Sequence, residues 1–364
     1  MINRETVFLL GERGLNMETN LIFGFGFVLL GAIGGGSYAL PSKFAKKMPW
    51  EVVWGLFFLF VTLLIPIFFA MFLVKDVVAT WQTAGIKVVI LPVMFGFLWG
   101  LGSMALGIGF SMIGLSLAYA INFGLQTGAG SLLPMALLHP EHIKTPAGMV
   151  IILGIAVCVV GVVMCGYAGI LKDRNINNAL DLSKSNPKSL MRKGIIITVI
   201  SGLICPCANL AFSYGADIIT ISNKQYENPV WAATLSVWIL IFWGGCVSAC
   251  GYCVYLLFKN KTWSSFKRPG IVMVLIIAII MAIMHNGCLV AYGFGTQYLG
   301  VMGTSIGYAV FLSGIIIVGN IHGFITSEWK GAGKSARYWI MIGILIIAIG
   351  MFILGKGNSM LTSS

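Results

Sequence analysis

Long apolar stretches without polar alternation constrain this chain more than any other feature of its sequence. Residues 271–282 read IVMVLIIAIIMA, and stretches of similar character recur along the chain. About 20 apolar residues are enough for a helix to cross the hydrocarbon core of a bilayer. Strands of a membrane barrel would instead alternate apolar and polar residues over about ten positions. The pattern therefore predicts an all-α polytopic membrane protein.

Composition excludes two other classes of protein. Hydrophobic residues make up 58% of the chain and charged residues 9%, whereas a soluble domain carries about 25% charged residues. The net charge of +12 does not indicate nucleic-acid binding, because the basic residues are scattered between apolar segments. A nucleic-acid site needs them clustered on one patch. Basic residues between spans are typical of cytoplasmic loops.

The hydropathy pattern predicts ten transmembrane helices. The predicted spans lie at about 20–41, 52–74, 88–111, 115–138, 149–170, 194–216, 230–257, 271–296, 301–324 and 338–355. Lys and Arg are distributed unevenly between the two sides: 16 of the 23 lie in the odd-numbered loops. Since cytoplasmic loops are enriched in Lys and Arg, this predicts that both termini lie outside the cytoplasm.

The longest hydrophilic segment, residues 171–193, divides the chain into two halves. The predicted organisation is an N-terminal extension, a first five-helix repeat, a cytoplasmic linker, a second five-helix repeat and a C-terminal tail, at 1–19, 20–170, 171–193, 194–355 and 356–364. An odd number of spans per half inverts the second half relative to the first, as in many secondary transporters. The three glycines that start at Gly107 recur with the same spacing from Gly293. Taken singly, each glycine also fits plain helix packing.

No residue pattern predicts a cofactor, a metal site or an enzyme. All eight cysteines lie in apolar segments, where cysteine serves as a small packing residue, and no disulfide framework is expected. There is no nucleotide-binding glycine loop. An intramembrane enzyme would need several titratable groups around one cavity, and only His285 lies near the middle of a span.

Three blocks of the sequence resemble the bacterial L-rhamnose–proton symporter family, a branch of the drug/metabolite transporter superfamily. The first, YALPSKFAKKMPWEVVW, runs from Tyr38 to Trp54 and is the most specific. The second begins FGFLWGLG at Phe95 and continues to Ser116, and the third places Glu328 and Trp329 before Ala332-Gly333. Residues 166–174 also look like the family's end of span five.

The resemblance implies a ten-helix carrier that imports L-rhamnose or a related deoxy sugar with protons, by alternating access, in a bacterial inner membrane. The implied partners are the sugar, the proton and the lipid bilayer, and the proton gradient is the driving force. Span eight departs from the family pattern, because its MHNGCLVAYG segment from Met284 is less aromatic. A carrier or exporter of another small metabolite therefore stays open as an alternative.

His285 is the leading candidate for proton coupling. Its imidazole titrates near neutral pH, which suits a proton relay, but a neutral sugar contact or a structural histidine fits the same position. The eleven acidic residues lie outside the middle of the predicted spans, and Glu51, Asp217 and Glu328 lie at span ends. Ionisable groups deep in a membrane are costly and usually functional.

A sugar site in a membrane combines hydrogen-bonding side chains with aromatic faces. The predicted substrate-binding residues are Tyr38, Trp99, Asn122, Gln126, Asn209, His285, Asn286 and Tyr292. Trp99 and His285 are separated by the same offset as the recurring glycines, which predicts that they face one cavity from the two halves. The amides could equally join helices, and the aromatic rings could simply pack.

Overall fold

The computed structural model describes residues 17–45, 48–113, 115–179, 188–327 and 329–362. In this part of the chain the structure is helices and turns without a strand, as predicted. Most of the predicted N-terminal extension and the middle of the predicted linker, 180–187, lie outside the described residues. Helix continues through Ala179 and resumes at Lys188, so it occupies both ends of the linker.

Fourteen α-helices make up most of the described chain. They are α1 (Met17–Ser37), α2 (Trp50–Leu59), α3 (Ile65–Phe68), α4 (Val77–Ala84), α5 (Ile86–Ile113), α6 (Leu115–Leu138), α7 (Pro146–Ala179), α8 (Lys188–Ile204), α9 (Cys207–Tyr214), α10 (Ala216–Lys224), α11 (Val230–Lys259), α12 (Ile271–Tyr298), α13 (Gly303–Ile325) and α14 (Gly333–Thr362). A π-helical turn at Phe60–Leu64 joins α2 to α3, and a second at Phe69–Leu73 continues the same long element beyond α3.

Nine regions of the described chain are long and apolar enough to cross a membrane. They correspond to nine of the ten predicted spans. The remaining predicted span is α6, which is a helix of 24 residues but is less apolar than the others. Its polar residues Asn122, Gln126, Thr127 and Ser131 are all buried inside the bundle. The chain is therefore a multi-pass membrane protein in which one helix is adapted to the protein interior.

The sixth predicted span is interrupted, where the sequence pattern predicted one continuous helix. Residues Ser189–Lys224 form one apolar region, but it consists of α8, α9 and α10. The first interruption is at Cys205-Pro206, because proline has no N–H to continue the helical hydrogen bonds. Gly215 separates α9 from α10. A break inside a membrane requires surrounding protein to satisfy the backbone, and α5, α6 and α13 pack against α9.

Loops that lie at the same end of the bundle are joined to one another by hydrogen bonds. At one end Asn260 Nδ2 donates to Glu51 Oε1 over 3.0 Å, and Asn175 Nδ2 donates to the carbonyl of Ala332 over 2.7 Å. We call this the Lys/Arg-rich end, because the odd-numbered loops lie here. At the other end, the Lys/Arg-poor end, the backbone N–H of Lys75 donates to Asn228 Oδ1 over 2.8 Å. These contacts agree with the alternation of consecutive spans across the bundle.

Helices of the two halves pack in corresponding pairs. Helix α1 packs against α12 and α13, while α8 packs against α5 and α6. These are the same contacts with the two halves exchanged, since α1, α5 and α6 belong to the first half and α8, α12 and α13 to the second. Helices α7 and α14, which close the two halves, pack against each other.

Close contacts between individual residues show the same correspondence. A Cβ added to Gly31 would lie 2.6 Å from the carbonyl oxygen of Cys288, and one added to Gly102 would lie 2.9 Å from Cys205 Sγ. Gly102 and Cys288 are separated by the offset that relates the recurring glycines, which we call the glycine offset. Gly31 and Cys205 are separated by a shorter interval, which we call the second offset. Two offsets thus relate the halves.

The pair of offsets recurs about two helical turns away on each helix. A Cβ on Gly295 would lie 2.7 Å from the carbonyl oxygen of Gly24, and one on Gly109 would lie 2.3 Å from Thr198 Oγ1. Gly109 and Gly295 are related by the glycine offset, while Gly24 and Thr198 are related by the second offset. The correspondence between the halves therefore extends along the helices and is not confined to one crossing.

Burial differs between the two ends of the bundle. Helix α11 is buried without interruption over residues 232–242, and α13 is buried over 305–314, both on the Lys/Arg-poor side of the membrane midplane. Towards the Lys/Arg-rich end, α13 has a single buried residue, Gly323, and α11 is buried only in part. These two helices are therefore buried more completely towards the Lys/Arg-poor end than towards the Lys/Arg-rich end.

Candidate functional site

The ring of His285 lies among four aromatic rings. The ring centroids of Tyr38, Phe57, Trp99 and Phe242 are 4.9, 5.7, 6.3 and 6.4 Å from that of His285. We call these five residues the aromatic pocket. They come from the first, second, third, seventh and eighth spans, so both halves of the chain contribute. Such an arrangement offers apolar faces around one titratable group.

Helix packing fixes the walls of the aromatic pocket. A Cβ on Gly245 would lie 2.8 Å from the ring of Trp99, so only glycine admits the indole at this crossing of α5 and α11. Phe57 and Phe242 are buried, whereas Tyr38, Trp99 and His285 are half-buried. The fully packed rings thus support the three side chains whose polar atoms could meet a ligand.

His285 has an unused polar atom inside the protein. Its Nδ1 is buried and has no hydrogen-bond partner among the described residues. Buried polar atoms are almost always paired, so an unpaired one requires an explanation. An imidazole nitrogen in this position can bind a proton or exchange a hydrogen bond with a ligand hydroxyl.

Ser37 and His322 lie where the aromatic pocket meets the Lys/Arg-rich end. Ser37 Oγ and His322 Nε2 are 2.8 Å apart and join the last turn of α1 to α13. Tyr38 follows Ser37 directly, so this hydrogen bond fixes the chain next to the pocket. It also links the first half of the chain to the second.

Asn209 is the centre of a polar cluster towards the Lys/Arg-poor end. Its Nδ2 donates to the carbonyl of Gly130 over 2.9 Å and to that of Thr304 over 3.1 Å. Its Oδ1 accepts a hydrogen bond from the hydroxyl of Tyr292. We call these four residues the Asn209 cluster. It joins α6, α9, α12 and α13 in the tightly packed part of the bundle.

A second polar chain crosses between the halves through Asn122. Its Nδ2 donates to Ser201 Oγ over 2.8 Å, and Ser201 Oγ donates to the carbonyl of Gly102 over 2.6 Å. Gln126 donates to Asn122 Oδ1 and accepts a 3.2 Å hydrogen bond from the hydroxyl of Tyr308. The polar residues of α6 are therefore used to join helices.

The sequence of this chain matches a known family over nearly its whole length. The family model of the L-rhamnose-proton symport protein matches residues 17–360. The chain belongs to this symporter family. The recognition made from the sequence blocks is thereby confirmed, and the family is one of transporters and not of enzymes.

Curated members of the L-rhamnose-proton symporter family align over almost their whole length. The L-rhamnose-proton symporter of Pectobacterium atrosepticum is 25% identical over 352 residues, and that of Mannheimia succiniciproducens is 23% identical over 348 residues. The symporter of Yersinia pestis is 25% identical over 351 residues. Each alignment covers 94% of this chain and 99% of the relative.

The structure distributes the eight predicted site residues of this symporter-family chain over four places, the fourth being that of Asn286. Tyr38, Trp99 and His285 lie in the aromatic pocket, while Asn209 and Tyr292 lie in the Asn209 cluster. The predicted residues Asn122 and Gln126 belong to the polar chain between the halves.

Asn286 faces a different surface from its neighbour His285. It lines an apolar groove of about 730 Å³ between α1, α3 and α12, and its Nδ2 donates to the carbonyls of Val61 and Ala282 over 3.2 and 3.1 Å. Asn286, although predicted as a substrate-binding residue like His285, therefore lies on a different side of α12 from the aromatic pocket. Adjacent residues on a helix point about 100° apart, which separates the two side chains.

Sequence reasoning missed Phe57, Phe242 and Trp238. Trp238 stacks on Phe242 with a centroid distance of 5.7 Å and lies 6.3 Å from Tyr292, so it joins the aromatic pocket to the Asn209 cluster. Its indole Nε1 is buried without a partner in the described structure. Aromatic residues in apolar helices carry no polar signal, and only their contacts reveal them. No group of three His, Cys, Asp or Glu residues suited to a metal ion occurs in the described ranges.

Proposed function

We propose that this chain imports L-rhamnose or a related deoxy sugar together with protons, by alternating access. The observation that carries the proposal is the aromatic pocket, which both halves build around the unpaired nitrogen of His285. Named relatives that are L-rhamnose-proton symporters support the same interpretation.

The aromatic pocket suits a deoxy sugar because it combines apolar faces with few polar atoms. The C–H faces and the methyl group of a 6-deoxy sugar can pack against the rings of Phe57, Trp99 and Phe242. The hydroxyl of Tyr38 and the nitrogens of Trp99 and His285 supply the hydrogen bonds that orient the ring hydroxyls. Ligand sites are commonly apolar cavities with a few such polar groups.

His285 is the group we propose to carry the proton. It lies near the middle of α12, and an ionisable residue at such a depth is functional by default. Protonation from the outside would accompany sugar binding, and release of both to the cytoplasm would let the empty carrier return. The sugar and the proton would then share one site.

Two inverted five-helix halves are the proposed basis of alternating access. The contacts related by the glycine offset and the second offset support this arrangement, and α6 with the nine apolar regions supplies ten spans. In this proposal the Lys/Arg-rich end faces the cytoplasm of a bacterium, the protein lies in the inner membrane and both termini lie outside. The tightly packed Lys/Arg-poor end then corresponds to a closed outer gate, so the conformation is inward-facing.

Uptake into liposomes tests the proposal. Purified protein is reconstituted, and labelled L-rhamnose uptake is measured with an inward proton gradient, with and without an uncoupler. We expect uptake that exceeds the uptake by empty liposomes and that the uncoupler abolishes. Gradient-independent uptake would remove the proton from the proposal. Absence of uptake by folded protein would reject rhamnose, and direct uptake of other labelled sugars and small metabolites would then identify the substrate of the alternative carrier.

A further inference from the structure

Two of the eight cysteines lie side by side and are accessible. Cys246 and Cys250 are one turn apart on α11, and their Sγ atoms are 3.7 Å apart. Both are half-buried, whereas Cys158, Cys165, Cys205, Cys253 and Cys288 are buried. Cys207 is also half-buried, but it lies on α9. The chain therefore presents one pair of neighbouring accessible thiols.

The thiol pair faces the second span. Cys250 Sγ is 3.9 Å from Thr62 Oγ1, which lies in the π-helical turn Phe60–Leu64. Thr62 in turn donates to the carbonyl of Phe58 over 2.6 Å, so its hydroxyl is held in place. One turn further along α11, Cys253 packs against Gly55, where an added Cβ would lie 3.4 Å from the Cys253 Cβ. This packing holds the face of α11 that carries the pair.

The spacing of the two sulfur atoms suits binding to one thiophilic centre. Two thiolates bound to one tetrahedral zinc ion at 2.3 Å are separated by about 3.8 Å. The two sulfurs of Cys246 and Cys250 are at nearly this separation. Because they lie at i and i+4 on one helix, the helix backbone itself sets their distance.

The number of ligands that the protein can supply determines which metal or metalloid centre the two thiols can bind. A structural zinc ion requires four ligands, and the described residues hold no group of three His, Cys, Asp or Glu that could begin such a set. A trivalent organoarsenical needs only two sulfur ligands from the protein, because its own carbon occupies the third position. Soft thiolate ligands favour soft centres of this kind.

We propose that Cys246 and Cys250 form a bidentate dithiol site that binds one trivalent organoarsenical per chain. With phenylarsine oxide, both thiols attack arsenic and two As–S bonds form while the bonds between arsenic and oxygen break. The oxygen leaves as water with the two thiol protons, and neither arsenic nor sulfur changes oxidation state. The site shares no residue with the aromatic pocket, and its proposed ligand differs in chemistry from the proposed sugar.

Mass spectrometry of the intact purified chain tests this site. Folded protein is treated with phenylarsine oxide in the presence of excess monothiol, which competes with single cysteines. We expect one adduct per chain that a small 1,2-dithiol removes. Cys246→Ser and Cys250→Ser should each weaken binding at least about 100-fold, because the second sulfur no longer acts at high effective concentration.

Matched variants at other cysteines distinguish the pair from any accessible thiol. Cys207→Ser and Cys165→Ser should keep the adduct with unchanged affinity, and gel filtration checks that each variant is folded. A second measurement uses the unmodified sequence: bound arsenical should protect both Cys246 and Cys250 from a maleimide, as read by peptide mass spectrometry. An adduct that persists in both single-serine variants, maleimide labelling of the pair in the adduct, or no adduct in folded protein would overturn the proposal.

Discussion

The two ends of this helical bundle differ in packing and in their use of polar groups. Towards the Lys/Arg-poor end, α11 and α13 are buried continuously, and the amide of Asn209 has both its nitrogen and its oxygen engaged. Towards the Lys/Arg-rich end, Tyr38, Trp99 and His285 are half-buried, and His285 keeps an unpaired nitrogen. Paired amides join helices at the first end, while Nδ1 of His285 is buried without a partner among the described residues.

The difference teaches how hydrogen bonding separates structural from functional polar groups within one membrane protein. All the polar residues proposed from the sequence are costly to bury without a partner. The structure gives partners to both side-chain groups of Asn209, and partners to Asn122 and Gln126. Within the described chain, Nδ1 of His285 and Oδ1 of Asn286 have none. Four substitutions test whether this contrast corresponds to function.

Loss of the His285 imidazole should have the largest effect. An inward gradient of one pH unit can concentrate a co-transported sugar about tenfold, because tenfold corresponds to 1.4 kcal/mol. His285→Gln keeps hydrogen bonding but cannot carry a proton, so accumulation in liposomes should fall to the external concentration. Exchange of labelled for unlabelled sugar should continue.

The control for His285→Gln is His142→Gln, at the Lys/Arg-poor end, which should leave accumulation unchanged. Proton-driven accumulation by folded His285→Gln protein would contradict the assignment of His285 as the proton carrier. Loss of both accumulation and exchange would instead indicate that the side chain is needed to bind the sugar.

Removal of one aromatic face from the pocket should weaken sugar binding. Phe57→Leu keeps most of the apolar volume but removes the ring that lies 5.7 Å from His285. We expect KM to rise about tenfold with little change in kcat, equivalent to about 1.4 kcal/mol. Phe58→Leu is the matched control, since Phe58 is buried beside Phe57 but outside the pocket. Equal effects of the two substitutions would show that packing of α2 and not the pocket determines KM.

Breaking the hydrogen bonds of the Asn209 cluster should destabilise the proposed conformation in which the Lys/Arg-poor end is closed. Asn209→Ala leaves the hydroxyl of Tyr292 without its amide partner, at a cost of about 1–3 kcal/mol in the closed state. The reporter is Ser305→Cys, because Ser305 is 1% exposed beside Thr304. In the double variant, labelling of this cysteine by an impermeant maleimide from the Lys/Arg-poor side should rise about tenfold or more.

Asn175→Ala is the matched control for the Asn209 cluster. It removes the hydrogen bond from the Asn175 side-chain amide to the carbonyl of Ala332, at the opposite end of the bundle. It should not change labelling at position 305. If Asn209→Ala also leaves labelling unchanged in folded protein, the cluster is a structural contact and not a gate.

The smallest effect is expected from His139, in the connection between α6 and α7. Burial lowers the pKa of His139 from its usual 6.5, although neighbouring Glu141, 3.8 Å away, acts in the opposite direction. A depressed folded-state pKa gives stability above pH 6.5 that is lost as the pH falls through the folded pKa. His139→Gln should therefore reduce the fall in melting temperature between neutral and mildly acidic pH. An unchanged pH dependence would contradict this assignment.

The sequence predicted the apolar helices of a membrane protein and the family, because both are written in local patterns. Trp99 and His285, which the glycine offset relates, have ring centroids 6.3 Å apart. The second offset could not be read from the sequence, because Gly31 and Cys205 have only their small size in common. A contact that requires only a small residue does not require the same residue type at both positions.

Other features could not be predicted because they depend on contacts. Phe57 and Phe242 look like packing residues in apolar helices, and only the structure places their rings beside His285. Asn209 binds the backbone carbonyls of Gly130 and Thr304, for which any residue type would serve. Pro206 was visible in the sequence, but its effect depends on the helices that surround α9 and satisfy the interrupted backbone.

Helix α6 has a consequence for how the chain is made. Its buried polar residues make it a poor substrate for independent insertion, since polar side chains are unfavourable at the centre of a bilayer. A single residue, Gly114, separates it from the apolar helix α5. We therefore expect α5 and α6 to insert as a hairpin, because the partners of Asn122 and Gln126, Ser201 and Tyr308, are synthesised only later. Completion of the first half of the chain would then depend on translation of the second.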